Sequence, residues 1–466
     1  MTLWDYSTWS YCLQLGIILF AVILGNIISR RVPFIKSSLV PASVVAGIMI
    51  FILKLIPWVN ENLIDSNFME SLTYHCLGLG FIAVALQTAD KKKKSKTSVV
   101  VNSGIITVNG YLIQAILGLG LTIFLSITIF PDLYYAAGLL LPMGFGQGTG
   151  QALNFGKVYE GLGFEQGSAF GLSIAAIGFL VACIVGVIHL NILKKQGKLD
   201  IQLARKDNSN NQEITVYEEN EAPLSQSVDK LTIQMGLVIA CYIITYLIML
   251  GLSYLAVNYL GGFGINTVRP LIWGFNFLIG TVVAIISKVI MNKLRTKGIM
   301  RYKYANNHYM SRISGMFFDI MIVAGIAAIN LQDLSGIFWP LVIICVVGGL
   351  GTFYYIKYVC KKIYPEYEHE AFFSIFGMLT GTASTGMILL REIDPNYETP
   401  AANNLIFQQV PAIAFGAPLL LLMSFAGQTF KNALLVLAIV VVMLIVYNII
   451  LFRKWIFKKK EKKEAI

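Results

Sequence analysis

Apolar runs of about twenty residues recur along the whole chain, and they restrict its fold more than any other feature. As a helix, a run of that length spans roughly 30 Å of hydrocarbon, because each residue advances about 1.5 Å along the axis. An open strand in lipid would leave its backbone groups unpaired, so each run is predicted to be a helix. The chain is therefore predicted to be an all-α polytopic membrane protein.

Eleven of these runs are predicted to cross the membrane. They are Tyr11–Ser29, Ser38–Pro57, Leu72–Ala89, Val99–Phe130, Gly167–Leu193, Leu231–Tyr259, Val268–Ile290, Ile313–Asn330, Ile337–Cys360, Asn403–Ala426 and Asn432–Phe452. The composition agrees, since 56% of the 466 residues are hydrophobic and only 13% are charged. A soluble domain carries about a quarter charged residues, so a water-soluble protein is excluded.

Lysine and arginine collect in alternate loops, and short loops rich in these residues stay on the cytoplasmic side of a membrane. The first run is followed by Arg30 and Arg31, the ninth by Lys361 and Lys362, and the other odd runs also end in basic segments. Every odd run is therefore predicted to end inside, with the N-terminus outside and the C-terminus in the cytoplasm. This placement explains the net charge of +11 without a nucleic-acid partner.

A long polar segment divides the chain into two halves. Residues 194–229 have a flexible composition and are predicted to be a cytoplasmic linker. The first half, residues 1–193, holds five spans and begins outside, so the second half, residues 230–430, must begin inside. This arrangement predicts two inverted five-helix repeats, as in many secondary transporters. Residues 431–466 add one more transmembrane helix and a basic cytoplasmic tail.

Between the fourth and fifth spans of each half lies an apolar stretch broken by glycines, at residues 139–156 and 372–392. Their centres read Gly144-Phe-Gly-Gln-Gly-Thr-Gly150 and Gly377-Met-Leu-Thr-Gly-Thr-Ala-Ser-Thr-Gly386. Irregular backbone at membrane depth is tolerated only inside protein or beside a water-filled cavity. Each stretch is therefore predicted to be a re-entrant loop, the first entering from outside and the second from inside. Interrupted segments at matching positions of two halves indicate a transport site.

The residue types in these loops suit an anion, because glycines admit a ligand to the backbone and exposed amides at a half-helix N-terminus attract carboxylates. The predicted substrate-binding residues are Gly146, Gln147, Gly148, Thr149, Gly150, Thr380, Gly381, Thr382, Ala383, Ser384, Thr385 and Arg391. Arg391 either clamps a second carboxylate or is one more cytoplasmic basic residue. For a single loop, close helix packing would explain the small residues equally well. Two loops at equivalent positions favour the transport site.

Asp319 lies in the middle of the eighth run, where an unpaired carboxylate is costly. It therefore needs a partner, which is a bound cation, a substrate ammonium group or Arg391. An aspartate that only fixes helix packing is the alternative. Together with Thr149 and Thr382, Asp319 is a candidate ligand for sodium.

The remaining polar residues in the runs point to packing rather than catalysis. Asn102, Asn109 and Gln114 in the fourth run are predicted to make packing hydrogen bonds. The six cysteines and four histidines show no metal-ligand spacing, and neither a nucleophile with a positioned base nor an ATP-binding loop is present. The chain is thus predicted not to be an enzyme and to need no cofactor.

Three motifs resemble the bacterial glutamate:sodium symporter family. They are the loop Gly144–Gly150 after the apolar fourth span, Pro41 followed by Ala46 and Gly47, and the loop Gly381–Thr385. The resemblance extends, with gaps, over most of the chain. It implies inverted five-span repeats, two re-entrant loops, sodium coupling and a homodimer with mobile transport domains in the bacterial inner membrane.

The chain departs from the family pattern at several positions. The family's first loop usually reads Gly-Gly-His-Gly-Thr, whereas Gln147 stands here at the histidine position. Its second loop usually carries Gly-Ala-Thr-Pro-Thr-Ala, against Thr380–Thr385 here. An eleventh span is also added, so the chain is identified as a divergent member.

The sequence therefore predicts a secondary active transporter that couples sodium entry to symport of glutamate or a related small organic anion by alternating access. An anion channel and a proton-coupled carboxylate carrier are the alternatives. A channel has no need of two inverted halves with loops from opposite faces. Hard carbonyl and hydroxyl oxygens in both loops suit Na⁺ better than a proton.

Overall fold

The computed structural model describes residues 5–87, 97–198, 229–300, 304–394 and 398–464, and these residues form helices without any strand. The all-α prediction is confirmed. Most of the predicted linker, residues 199–228, and the basic segment Lys91–Lys94 lie outside the described residues.

Nine helices make up the first half of the chain and ten the second, among the described residues. The first nine are α1 (Tyr6–Arg31), α2 (Pro33–Ser38), α3 (Ala42–Leu53), α4 (Pro57–Asn62), α5 (Ser66–Leu86), α6 (Thr97–Thr128), α7 (Leu140–Gln147), α8 (Thr149–Glu160) and α9 (Gly167–Lys195). The others are α10 (Lys230–Phe263), α11 (Arg269–Gly274), α12 (Asn276–Thr296), α13 (Asn307–Ala328), α14 (Phe338–Ile363), α15 (Glu368–Thr380), α16 (Ala383–Arg391), α17 (Ala401–Phe407), α18 (Gln409–Ala426) and α19 (Phe430–Glu464).

Nine helices in the described part of the chain are long and apolar enough to cross a membrane, which confirms a multi-pass membrane protein. They are α1, α5, α6, α9, α10, α12, α13, α14 and α19. The predicted second and tenth spans are instead broken. In the second, Leu39 adopts a left-handed conformation with φ 58° before Pro41, so that α3 begins only at Ala42. Its 12 residues measure about 18 Å, which is less than the roughly 30 Å of hydrocarbon.

The helices form two bundles in contact with each other. In the first, which we call the α5–α13 bundle, α5 packs along α13, α3 packs on α13, and α12 packs on α5. Helix α1 packs on α3, and helix α10 packs on α12. The second, the hairpin bundle, contains α6 to α9 and α14 to α19, with α6 packed against α14. The glycine-broken stretches belong to the hairpin bundle.

A buried lysine closes one end of α13. Lys54 follows α3 and is 7% exposed. Its Nζ donates to the carbonyl oxygens of Ala327 at 2.8 Å and Ile329 at 3.2 Å, and to Ser66 Oγ at 2.8 Å. The three hydrogens of the ammonium group are thus paired, and the positive charge lies at a helix C-terminus, where the helix dipole favours it.

A second lysine closes α5 in the same way. Lys288 lies in α12, and its Nζ donates to the carbonyl oxygens of Ala85 at 2.7 Å and Gln87 at 2.8 Å. Gln87 is the C-cap of α5, as Ile329 is the C-cap of α13. Each lysine therefore contacts the C-cap carbonyl and the carbonyl two residues before it. The contact of α3 with α13 and the contact of α12 with α5 thus share one feature, a lysine bound to the C-terminal carbonyls of the second helix.

The additional helix α19 is attached to the hairpin bundle by polar contacts. Asn448 Oδ1 accepts from Asn109 Nδ2 of α6 at 3.3 Å and from the Tyr355 hydroxyl of α14 at 2.9 Å. Tyr447 donates to the carbonyl of Phe415 in α18 at 3.0 Å. The packing role predicted for Asn109 is confirmed, and α19 is fixed to α6, α14 and α18.

Candidate functional site

The first broken stretch is a helical hairpin with a turn of a single residue. Gly148 is both the C-cap of α7 and the N-cap of α8. Its φ of 82° and ψ of −170° are accessible to glycine but strained for other residues. The two arms pack on each other and on α9. The hairpin covers the predicted residues 139–156 and continues to Glu160.

The second broken stretch is also a hairpin, with Gly381 and Thr382 between α15 and α16. Thr382 caps α16, since its Oγ1 accepts from the backbone N–H of Thr385 at 3.4 Å. A Cβ atom on Gly377 would lie 2.8 Å from the Cα of Gly386. Gly377 and Gly386 therefore allow the two arms to pack closely. Close helix packing was the alternative to ligand binding for the small residues of this stretch.

The tips of the two hairpins meet. A Cβ atom on Gly148 would lie 3.5 Å from Thr382 Cγ2 and 4.0 Å from the carbonyl oxygen of Gly381. Helices α8 and α16 both begin at this point, at Thr149 and Ala383. The first-turn N–H groups of a helix have no intrahelical partner and lie at the positive end of its dipole. Two such ends at one place make a region suited to carboxylate groups.

Other predicted residues make contacts within the second hairpin or lie away from its tip. The hydroxyl of Thr380 donates to the Phe376 carbonyl at 2.8 Å, within its own helix. Thr385 is buried beside Thr382. Arg391 is exposed at the far end of α16, about 12 Å along the helix axis from Ala383.

The hydroxyl of Thr149 points to the other bundle. Thr149 is fully buried, and its Oγ1 donates to the carbonyl of Met321 in α13 at 3.4 Å. A Cβ atom on Gly325 would lie 2.6 Å from Thr149 Cβ, so the glycine lets α8 and α13 touch. Gly150 packs in the same way against Leu77 of α5. The start of α8 is thus held on both central helices of the α5–α13 bundle.

Asp319 lies on another side of α13. It is two residues from Met321, hence about 160° from it around the helix, and its carboxyl lies beside Ser43 of α3. The side chain is exposed rather than buried, and no ion pair joins it to Arg391 in the described part of the chain. The structure therefore does not bring Asp319 together with Thr149. Among the described residues, no group of three His, Cys, Asp or Glu side chains could hold a metal ion.

The sequence model of the sodium/glutamate symporter family matches residues 10–399, which include both hairpins. The chain belongs to the sodium/glutamate symporter family. It is therefore a transporter and not an enzyme. The match ends just before α17, so the tenth span and α19 lie wholly beyond it. A comparison with curated proteins gives no matching relative.

Three buried polar residues of this symporter lie behind the hairpin tips. Gln114 of α6 donates through Nε2 to the carbonyl of Leu379 at 2.7 Å and to Thr352 Oγ1 of α14 at 3.1 Å. Tyr111 donates to the carbonyl of Gly146 at 3.3 Å. Sequence reasoning assigned Gln114 to packing and missed the other two. Tyr111 and Thr352 lie in the fourth spans of the two halves, directly before a hairpin, and this position could have indicated that they lie near the site.

The two hairpins of the symporter differ in burial. The first eight residues of α8, Thr149–Gly156, are all buried, and α8 contacts α5, α11 and α13. Helix α16 packs on α9, α15 and α17 within its own bundle, and Ala383 and Arg391 are exposed. Burial also divides α13 into two parts: Ile320–Ile329 is buried, whereas Gly315, Met316 and Asp319 are exposed. Helix α8 thus packs on both bundles, whereas the larger contacts of α16 lie within the hairpin bundle.

Proposed function

We propose that this protein couples the inward movement of sodium to the uptake of glutamate or a closely related small organic anion, by alternating access. The observation that carries the proposal is the meeting of the two hairpin tips, at which α8 and α16 both begin. Membership in the sodium/glutamate symporter family supports both the sodium coupling and the class of substrate.

The substrate site proposed here lies at Gly148, Thr149, Gly381 and Thr382. The N–H groups that bind carboxylate oxygens are those of the first turn of α8 and, because Thr385 is capped by Thr382, those of Ala383 and Ser384 in α16. Each helix start carries about half a positive charge. A dicarboxylate such as glutamate places one carboxylate at each helix start. Arg391 and Asp319 lie away from the tips in this conformation, so we assign them to the route rather than to the bound substrate.

An internal inverted repeat is part of the proposal. The order of elements is the same in both halves, with a hairpin between the fourth and fifth spans. The matching caps of Lys54 on α13 and Lys288 on α5 support the correspondence, because α3 and α12 are the second spans and α13 and α5 the third spans of opposite halves. With the orientation predicted from the basic loops, Lys54 lies near the outer surface and Lys288 near the cytoplasm.

The unequal burial of the hairpins supports alternating access. If the first hairpin enters from outside, its packing on α5 and α13 closes the outer route. The exposed side of α16 then faces the cytoplasm, and the structure represents an inward-open state. In the outward-open state, α16 would pack on the α5–α13 bundle and α8 would separate from it. Because α19 is fixed to α6, α14 and α18, it would move with the hairpin bundle.

Homodimeric assembly in the bacterial inner membrane, with the N-terminus outside, completes the proposal. The family resemblance implies the dimer, and the positions of the basic loops support the orientation. Native mass spectrometry in detergent tests the dimer, and a fluorescent reporter fused to the C-terminus tests the orientation.

A flux assay in proteoliposomes tests the proposed function. Uptake of labelled glutamate is measured with an inward Na⁺ gradient, with equal Na⁺ on both sides, and with choline and a proton gradient in place of Na⁺. We expect accumulation only with the Na⁺ gradient. Uptake that follows the proton gradient would establish a proton-coupled carrier instead, and passive equilibration in all three conditions would establish a channel.

A further inference from the structure

Gln114 lies in the centre of the hairpin bundle, where it contacts both hairpins. Its side chain is fully buried, and both hydrogens of Nε2 are used, on Leu379 and Thr352. Its Oε1 has no hydrogen-bond partner within the part of the chain that the structure describes. An unpaired buried polar atom costs about 1–3 kcal/mol, a cost that a ligand bound to this oxygen would remove.

The free oxygen lies between the ends of the first arms of the two hairpins. A Cβ atom on Gly146, near the end of α7, would lie 3.4 Å from Gln114 Oε1. Leu379, which accepts from Nε2, is the second-last residue of α15. The last carbonyl groups of a helix lack intrahelical partners and lie at the negative end of its dipole. The Gln114 side chain therefore contacts the C-terminal ends of both first arms, through Nε2 at Leu379 and through Oε1 beside Gly146.

The chemistry of these groups fits a monovalent cation. The candidate ligands are the amide oxygen of Gln114, the carbonyl of Gly146 and the hydroxyl of Thr352, which are all uncharged hard oxygens. Such ligands suit Na⁺, whereas Ca²⁺ and Mg²⁺ sites generally include carboxylates. In transporters with broken helices, the C-terminal ends of half-helices coordinate the coupling cation. The Thr352 hydroxyl also donates to the Gly348 carbonyl at 2.7 Å, so its remaining lone pair is free to face a cation.

We propose that Gln114, Thr352 and the carbonyl of Gly146 form the binding site of a coupling sodium ion. This inference rests on the proposed function and names the ion site within it. Sodium is held beside the C-terminal end of α7, and the substrate anion at the N-terminal starts of α8 and α16. Because Nε2 of the same glutamine binds the Leu379 carbonyl of α15, the bound ion fixes the two hairpins relative to each other and so completes the anion site at the tips.

The test is the sodium dependence of the melting temperature in detergent, with choline chloride to keep the ionic strength constant and with no substrate. We expect the melting temperature of the wild type to rise with Na⁺ around a defined midpoint concentration. Gln114→Met has a similar volume but lacks the oxygen, and we expect its midpoint to rise at least tenfold. Gln114→Glu keeps an oxygen at this position and should retain the sodium response.

Asn109→Leu is the matched control. Asn109 is a buried amide on the same helix, and its Oδ1 also lacks a partner among the described residues, but its Nδ2 binds Asn448 of α19 rather than a hairpin. Its removal should lower the baseline melting temperature and leave the sodium midpoint within about twofold. If Gln114→Met is too unstable to measure, Thr352→Val supplies the same readout.

A wild-type midpoint in Gln114→Met, whatever its baseline stability, would overturn the sodium site. If the wild type itself shows neither a sodium-dependent shift nor sodium-driven uptake, the proposed function fails and the site fails with it. A sodium response in the wild type that both variants preserve overturns the site alone.

Discussion

The two hairpins have the same construction but are held in different ways. Each consists of two antiparallel half-helices, and their tips touch at Gly148 and Thr382. The second arm of the first hairpin is buried, and Lys157 ties it to Glu70 of α5 through an ion pair of 2.7 Å. The second arm of the second hairpin exposes Ala383 and Arg391. We infer that the first hairpin is in its closed packing and the second hairpin is in its open packing.

The tip of the first hairpin gives the largest predicted effect. In Gly148→Ala, the new side chain must adopt a φ of 82° and approach the methyl group of Thr382 at 3.5 Å. Such backbone strain costs about 1–3 kcal/mol and is relieved if the tip shifts, which displaces the N–H groups of α8 that bind the substrate. We expect a loss of substrate affinity of up to the same energy, or roughly fivefold to hundredfold. Sodium-driven uptake and the substrate-induced rise in melting temperature measure this loss.

Gly163→Ala is the control for backbone strain alone. Gly163 has a φ of 102° in the loop after α8, and a Cβ atom there meets no neighbour within 4 Å. We expect a similar loss of stability with an unchanged Michaelis constant for the substrate. Equal loss of substrate affinity in both variants would mean that the tip has no special role.

The contact between α8 and α13 gives the next effect. Gly325→Ala places a methyl group 2.6 Å from Thr149 Cβ, and we expect this overpacking to destabilise the closed packing of the first hairpin by about 1–3 kcal/mol. Gly315→Ala on the same helix meets no atom within 4 Å, and should stabilise the helix by up to about 1 kcal/mol. Melting temperatures give both values. Equal effects of the two substitutions would contradict the assigned contact.

The smallest effect is expected at the ion pair of the first hairpin. Lys157 is half-exposed, and Glu160 lies at 3.0 Å as a second partner. Exposed ion pairs contribute about 0.2–1 kcal/mol, so Glu70→Gln should shift the hairpin toward its open packing only slightly. Hydrogen exchange in α8 measures the shift, which should disappear in about 1 M salt because charges are then screened. A shift that is independent of salt would exclude an electrostatic cause.

The sequence predicts the helices and the hairpins well, because both depend on neighbouring residues. A helix follows from the length of an apolar run, and a hairpin from the glycines that interrupt it. The polar linker and the basic loops divide the chain at the position where α9 ends and α10 begins. The breaks in the second and tenth spans were missed, since their hydrophobicity is continuous and the interruption at Leu39 and Pro41 is conformational.

The contacts of the site could not be predicted from the sequence. Asp319 was expected to be buried, but the side of α13 that a residue occupies depends on how α3 and α8 pack around that helix. Gln114 was predicted to make packing hydrogen bonds and does so, while its free oxygen is visible only when both hairpins are in place. The contacts of Lys54 and Lys288 could not be predicted from the sequence, because their partners are backbone carbonyls, which every residue has.

Cysteine accessibility tests most directly whether the two tips form one site that opens alternately to each side. In a background without the six native cysteines, Thr149→Cys and Ala383→Cys are treated with a membrane-impermeant thiol reagent from either side, with and without sodium and glutamate. Without ligand, we expect Ala383→Cys to react only from the cytoplasmic side, because it is exposed in the inward-open state. Thr149→Cys is buried in that state and should react only from outside, in the fraction of molecules that open outward. Sodium with glutamate should protect both. Simultaneous reaction of both positions from one side, or labelling that sodium and glutamate leave unchanged, would contradict a shared site with alternating access.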